Sequence, residues 1–145
     1  MPSARALLFD TSVYVSAIHG GVLSPASRRL REALPRTYLA SVVSAELRAG
    51  AITEKARRTV HDVTQWAHRV GRMVTPGPGA WERAGDILGE IRRKEPHLRS
   101  KVPRIWNDVL IALCARQIGA TVVAHNARDF ELLRRYLRFD VQVLA

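Results

Sequence analysis

Seven consecutive apolar residues, Val109-Leu110-Ile111-Ala112-Leu113-Cys114-Ala115, lie in a segment whose punctuation is helical, Asn107–Gln117 with Gly119 beyond it. A helix that is apolar on nearly every side has no face to offer water, so other elements must surround it. Short apolar runs that read as strands recur along the chain: Ala6–Phe9, Thr37–Ala40, Met73–Thr75, Thr121–Ala124 and Val141–Leu144. Helix-period segments separate them: Thr11–Ile18, Ala26–Leu34, Ser41–Ala49, Thr53–Val70, Trp81–Lys94 and Asp129–Leu137. This alternation predicts an α/β fold with a mainly parallel central sheet covered on both faces. Ser24-Pro25 reads as a helix start, and Ser41 as a cap for the helix after it. Pro76-Gly77-Pro78-Gly79 is a breaker, and Glu95–Pro103 reads as a polar loop. With 145 residues, no internal repeat and no low-complexity tract, the expected organisation is one domain over 1–145.

The chain carries 23 Lys+Arg against 13 Asp+Glu, a formal net charge of +10. Only Lys55, Lys94 and Lys101 are lysines, so the basic residues are overwhelmingly arginine, which suits bidentate phosphate contact. Such a surface attracts polyanions, or an acidic protein partner. No apolar run approaches the length of a membrane span. Met1-Pro2-Ser3-Ala4-Arg5 leads straight into a strand without the pattern of a signal peptide, so a cytoplasmic location is expected. The single cysteine, Cys114, excludes an intrachain disulfide and reads as a small buried hydrophobe.

Against this basic background, four acids stand in apolar contexts. Asp10 ends the first strand run; Glu46 lies in Ser41-Val42-Val43-Ser44-Ala45-Glu46-Leu47; Asp108 opens the apolar helix; Asp129 follows Thr121–Ala124 in His125-Asn126-Ala127-Arg128-Asp129-Phe130. Each has a bland reading. Asp10 and Asp129 suit caps or turns, Glu46 a solvated helix face, and Asp108 a helix N-terminus, where negative charge is favoured. Together they suggest something else. In open α/β sheets ligands gather at the carboxyl ends of strands, where Asp10 and the 126–129 turn fall. Carboxylates gathered in one crevice are costly unless a cation compensates them, and Mg²⁺ or Mn²⁺ favours such oxygen ligands. One such ion serves to activate water, and two ions about 4 Å apart would also stabilise the leaving oxygen of a phosphodiester. Arg99, Lys101 and Arg104, just before Asp108, are the best candidates for phosphate contacts, with a solvated loop as the alternative.

The segments Leu8-Phe9-Asp10-Thr11-Ser12, Ser44-Ala45-Glu46-Leu47-Arg48-Ala49-Gly50, Asn107-Asp108-Val109-Leu110-Ile111-Ala112 and His125-Asn126-Ala127-Arg128-Asp129-Phe130 resemble the four signature segments of PIN-domain nucleases. They look most like the VapC toxins of VapBC toxin–antitoxin pairs, in the right order and over nearly the whole chain. The resemblance implies a three-layer α/β/α sandwich and a Mg²⁺- or Mn²⁺-dependent endoribonuclease. It maps the metal-site acids onto Asp10, Glu46, Asp108 and Asp129, a supporting hydroxyl onto Thr11 or Ser12, and a supporting polar group onto Asn126. It also implies an RNA substrate, a homodimer, and a cognate antitoxin that occupies the active-site groove. Exposed apolar positions on Thr11–Ile18 and Ala26–Leu34 are the candidate antitoxin contacts.

Two other functions compete. A PIN-like module that binds nucleic acid or a partner without turnover would keep the same fold. A phosphatase of the haloacid-dehalogenase type also places an Asp after its first strand, but wants a second Asp two positions on, where this chain has Ser12. His125 invites an acid–base role that the resemblance does not require. Trp81 falls on the apolar face of its helix and reads as core, while Trp106 beside Asp108 is left open between packing and base stacking.

Overall fold

The computed structural model describes residues 4–144; Met1, Pro2 and Ser3, read above as the lead-in to the first strand, and Ala145 lie outside the described residues. The first strand, β1 (Leu7–Phe9), is buried along its whole length, as a central strand covered on both faces must be. Around it five strands form one sheet: β1, β2 (Thr37–Ala40), β3 (Met73–Val74), β4 (Thr121–Ala124) and β5 (Asp140–Val143), in the order β3-β2-β1-β4-β5. Every pairing is parallel, so the sheet is wholly rather than mainly so.

Parallel neighbours need crossovers, and the helices supply them: α1 (Thr11–Gly20), α2 (Pro25–Ala33), α3 (Ser41–Gly50), α4 (Glu54–Arg69), α5 (Pro78–Lys94), α6 (Trp106–Ile118) and α7 (Arg128–Leu133). From β1 the chain steps outward to β2 and β3, then returns across the sheet to β4 and β5. Right-handed crossovers therefore put α1–α4 on one face and α5–α7 on the other, which makes the three layers of an α/β/α sandwich. Every residue from Val109 to Ala115 of α6 is buried, as the apolar run requires. A single cluster of buried residues spans both faces, from Val13, Val43 and Leu47 to Ile87, Ile91, Ile111 and Phe130.

Local chemistry sets most boundaries. Ser24 caps α2 by accepting the Ser27 backbone N–H, with Pro25 at the first turn. Gly119 ends α6 at φ +66°, a left-handed position that suits glycine. Several expectations need correction. Ser41 is not a cap: β2 runs directly into α3, and the Ser41 hydroxyl instead donates to Thr75 Oγ1 at 2.7 Å. Pro78 does not break the chain but opens α5, because proline lacks only an N–H that a first turn leaves free. The segment 95–105 is not an open loop; it forms two short 3₁₀ turns, Pro96–Leu98 and Val102–Arg104. Trp81 is 52% exposed, since it stands one turn ahead of the buried stripe Ala84, Ile87, Leu88 and Ile91.

Candidate active site

The direction of chain travel reverses between β1 and β4, and their carboxyl ends flank one crevice. Such a switch point is where α/β sheets receive ligands. Asp10 follows β1, and its backbone N–H donates to Val123 O of β4 at 2.8 Å, which ties it to the neighbouring strand. Asp10 holds the N-cap position of α1, yet its carboxylate makes no capping bond. It accepts instead from the Ser12 hydroxyl at 2.8 Å. Thr11 faces another way: its hydroxyl donates to Glu46 Oε1 at 2.8 Å, joining the first turn of α1 to the middle of α3.

Asp108 lies in the first turn of α6, and Asp129 in the first turn of α7. The Asp108 carboxyl is pushed up to about 7, first by burial and then by the negative charges of Asp10, Asp129 and Glu46. Those causes show that the fold brings Asp10, Asp129 and Glu46 within electrostatic reach of Asp108. Lys101 opposes the shift. Its Nζ stands 2.7 Å from Asp129 Oδ1, with both side chains about one-third exposed. The angle is not that of a hydrogen bond, and Oδ1 has no hydrogen-bond partner although it is buried.

The donor set is all oxygen, short of positive charge, and suited to a hard divalent cation. Among the described residues no three His, Cys, Asp or Glu side chains are already arranged around one ion position. The donors themselves are the hard carboxylate oxygens that a divalent ion prefers. On this chemistry the residues fit a divalent metal.

The other expected residues fall into two groups. Asn126 accepts the Arg128 backbone N–H at 3.0 Å, so it shapes the turn that carries Asp129. Arg104 is exposed and, among the described residues, makes no side-chain hydrogen bond or ion pair, which leaves its guanidinium free at the edge of the 3₁₀ turn. His125 places Nδ1 3.2 Å from Leu144 O, while its buried Nε2 has no partner. The His125 ring thus ties the end of β4 to the strand beside it. Trp106, 37% exposed, sits two residues ahead of Asp108. Lys101 is the residue whose place in the crevice was not foreseen, since its sequence neighbours suggested a phosphate contact.

A separate groove of about 800 Å³ runs between α1, α2 and α4, with Tyr14, Ile18, Leu30, Val63 and Trp66 among its walls. Val22 and Ile52 on its walls, and Leu23 next in sequence to Val22, are strongly exposed. No helix among the described residues is long and apolar enough to cross a membrane.

A family model described as PIN domain matches residues 7–136. No curated protein matches the chain by sequence. Solved structures that resemble it include DNA-bound VapBC from Salmonella typhimurium (22% identity, 97% of this chain and 98% of that chain covered, TM-score 0.66). VapBC-1 from nontypeable Haemophilus influenzae matches at 17% identity over 95% and 97%, with a TM-score of 0.63. VapBC2 from Rickettsia felis, bound to a promoter DNA fragment, matches at 20% identity over 97% and 99%, with a TM-score of 0.60.

Proposed function

From the premise that the chain belongs to the PIN domain family, we propose that it is a Mg²⁺- or Mn²⁺-dependent endoribonuclease, one catalytic unit over 1–145, and the toxin of a toxin–antitoxin pair. The observation that carries the reading is the convergence on Asp108, whose carboxyl is pushed up to about 7 first by burial and then by Asp10, Asp129 and Glu46, a set of oxygen donors that suits a divalent cation. The metal ligands would come from Asp10, Glu46, Asp108 and Asp129. When bound, the ion supplies Lewis-acid polarisation of the phosphodiester and lowers the pKa of water at the site.

The chain's own residues do the rest. Ser12 and Thr11 hold the Asp10 and Glu46 carboxylates in place through their hydroxyls, as the outer partners of metal ligands do. Asn126 fixes the turn ahead of Asp129. Arg104, free at the rim, contacts backbone phosphates and sets the RNA across the acids. The net charge of +10 draws the polyanion in.

The similar structures are VapBC complexes, and on that likeness an antitoxin is the natural restraint. The apolar groove between α1, α2 and α4 is where its apolar segment would dock, with a tail reaching the crevice. The toxin is expected to act as a homodimer in the cytoplasm, where RNA is available.

The rival reading is a PIN-like module that binds nucleic acid or a partner without turnover, since it would keep the same fold. A defined RNA, titrated with Mg²⁺ or Mn²⁺ and with EDTA as control, separates the two. Metal-dependent products support the nuclease; tight binding without products supports the module; undiminished cleavage in EDTA overturns the metal mechanism.

A further inference from the structure

The segment between α5 and α6 is held at both ends. Glu95 accepts from the Tyr136 hydroxyl and from Arg135 Nη1, the latter at 2.7 Å. At the other end Val102 and Ile105 are each only 1% exposed. Lys101 stands between these anchors, its backbone N–H bonded to Leu98 O and its carbonyl to Arg104 N–H. Its Nζ therefore projects from a fixed base, 2.7 Å from Asp129 Oδ1. That oxygen is buried and has no hydrogen-bond partner, so Lys101 is the charge that compensates it.

An exposed ion pair of this length would contribute little. Here the ammonium also acts on a second crevice acid, the Asp108 carboxyl. An ammonium is a compact point charge that cannot ligate a metal and repels one. Four carboxylates carry four negative charges. One divalent ion with Lys101 offsets three of them; two divalent ions with Lys101 would leave the RNA-free crevice positive.

We propose that Lys101 is a tethered cation that holds the Asp129 side of the crevice in place of a second divalent ion. The RNA-free site then takes one ion, on the side of Asp10, Glu46 and Asp108. The role is positioning: Lys101 decides which carboxylates are available to metal. The inference rests on the metal-nuclease reading.

The test counts Mn²⁺ bound per chain to the full-length protein without RNA, by titration calorimetry and electron paramagnetic resonance. Wild type and Lys101→Arg are expected to bind one ion. Lys101→Met and Lys101→Gln are expected to bind two, with the spin coupling of neighbouring Mn²⁺ centres. A purely structural lysine would not change the count. Two ions in the wild type, or one in both neutral variants, overturns the role of Lys101 and leaves the nuclease reading standing. No bound ion in any form overturns both.

Discussion

Two groups of acids in this molecule meet opposite fates. In the crevice, Asp10, Glu46 and Asp129 lie within electrostatic reach of Asp108, with Lys101 as the nearby cation, and the Asp108 carboxyl is pushed up to about 7. Beyond the end of α5, Glu95 is enclosed by partners, its carboxyl held below the ordinary value by the Tyr136 hydroxyl and then by Arg135. Tyr136 in turn is pushed up to about 12 by burial and by its bond to Glu95. The same functional group is strained in one place and satisfied in the other. The satisfied cluster anchors a strap; the strained one is open for a ligand with positive charge to bring.

The largest break in the comparison should come from chemistry. Asp10→Asn removes a crevice charge without removing volume. Metal catalysis supplies several kcal/mol of charge stabilisation, so RNA cleavage should fall roughly a thousandfold. The melting temperature of the metal-free protein should not fall, since repulsion is relieved. Robust cleavage by the variant in a gel assay would remove Asp10 from the site.

A second contrast is the sign of the pH dependence. Asp108 titrates at about 7 in the fold against an ordinary 3.8, so the folded state holds its proton longer than the unfolded state does. Its contribution to metal-free stability is therefore full below about pH 4 and declines as pH rises to about 7. At pH 8 Asp108→Asn should be more stable than the wild type, by on the order of 1–3 kcal/mol, with the advantage shrinking towards pH 5. Added Mn²⁺ should abolish it. Denaturant melts across that range give the answer, and a constant difference would break the argument.

Glu95 should behave in the opposite sense. Its depressed carboxyl stabilises the fold above its ordinary value of 4.5, and that contribution is lost as pH falls through the lower folded value. Glu95→Gln should melt below the wild type at pH 7, and the gap should close in acid. An equal gap at both ends of the range would show that packing, not charge, holds the strap.

The smallest expected effect separates two arginines. Arg135 is committed to Glu95, while Arg104 has no side-chain partner among the described residues. Arg104→Ala should weaken RNA binding severalfold and reduce the salt slope by about one, with melting unchanged. Arg135→Ala should lower the melting temperature and leave the salt slope as it was. Fluorescence anisotropy at several salt concentrations distinguishes them; equal effects on binding would merge the two regions.

Much of the fold was legible in the chain because strand and helix periods differ and because punctuation is local. The runs at Ala6–Phe9, Thr37–Ala40 and Thr121–Ala124 became β1, β2 and β4 with at most one residue changed. The errors fell where a neighbour decided. Trp81 matches the helical period, but it stays 52% exposed while Ala80 beside it is the residue of that turn packed against the core. Ser41 has the residue type of a cap, but Thr75 lies within reach and β2 leaves no turn before α3.

By itself the sequence determined the alternation of elements, the buried course of α6, the cationic surface and the four acids set in apolar runs. These depend on residue type and on spacing along the chain, which a linear pattern records. Only the tertiary structure decided that Asp10, Glu46, Asp108 and Asp129 share one crevice, that Thr11 serves Glu46 while Ser12 serves Asp10, and that Lys101 rests on Asp129. Those contacts join residues up to 98 positions apart as well as near neighbours such as Ser12 and Asp10, and a Coulomb interaction depends on distance in space, which strand order and crossover direction set.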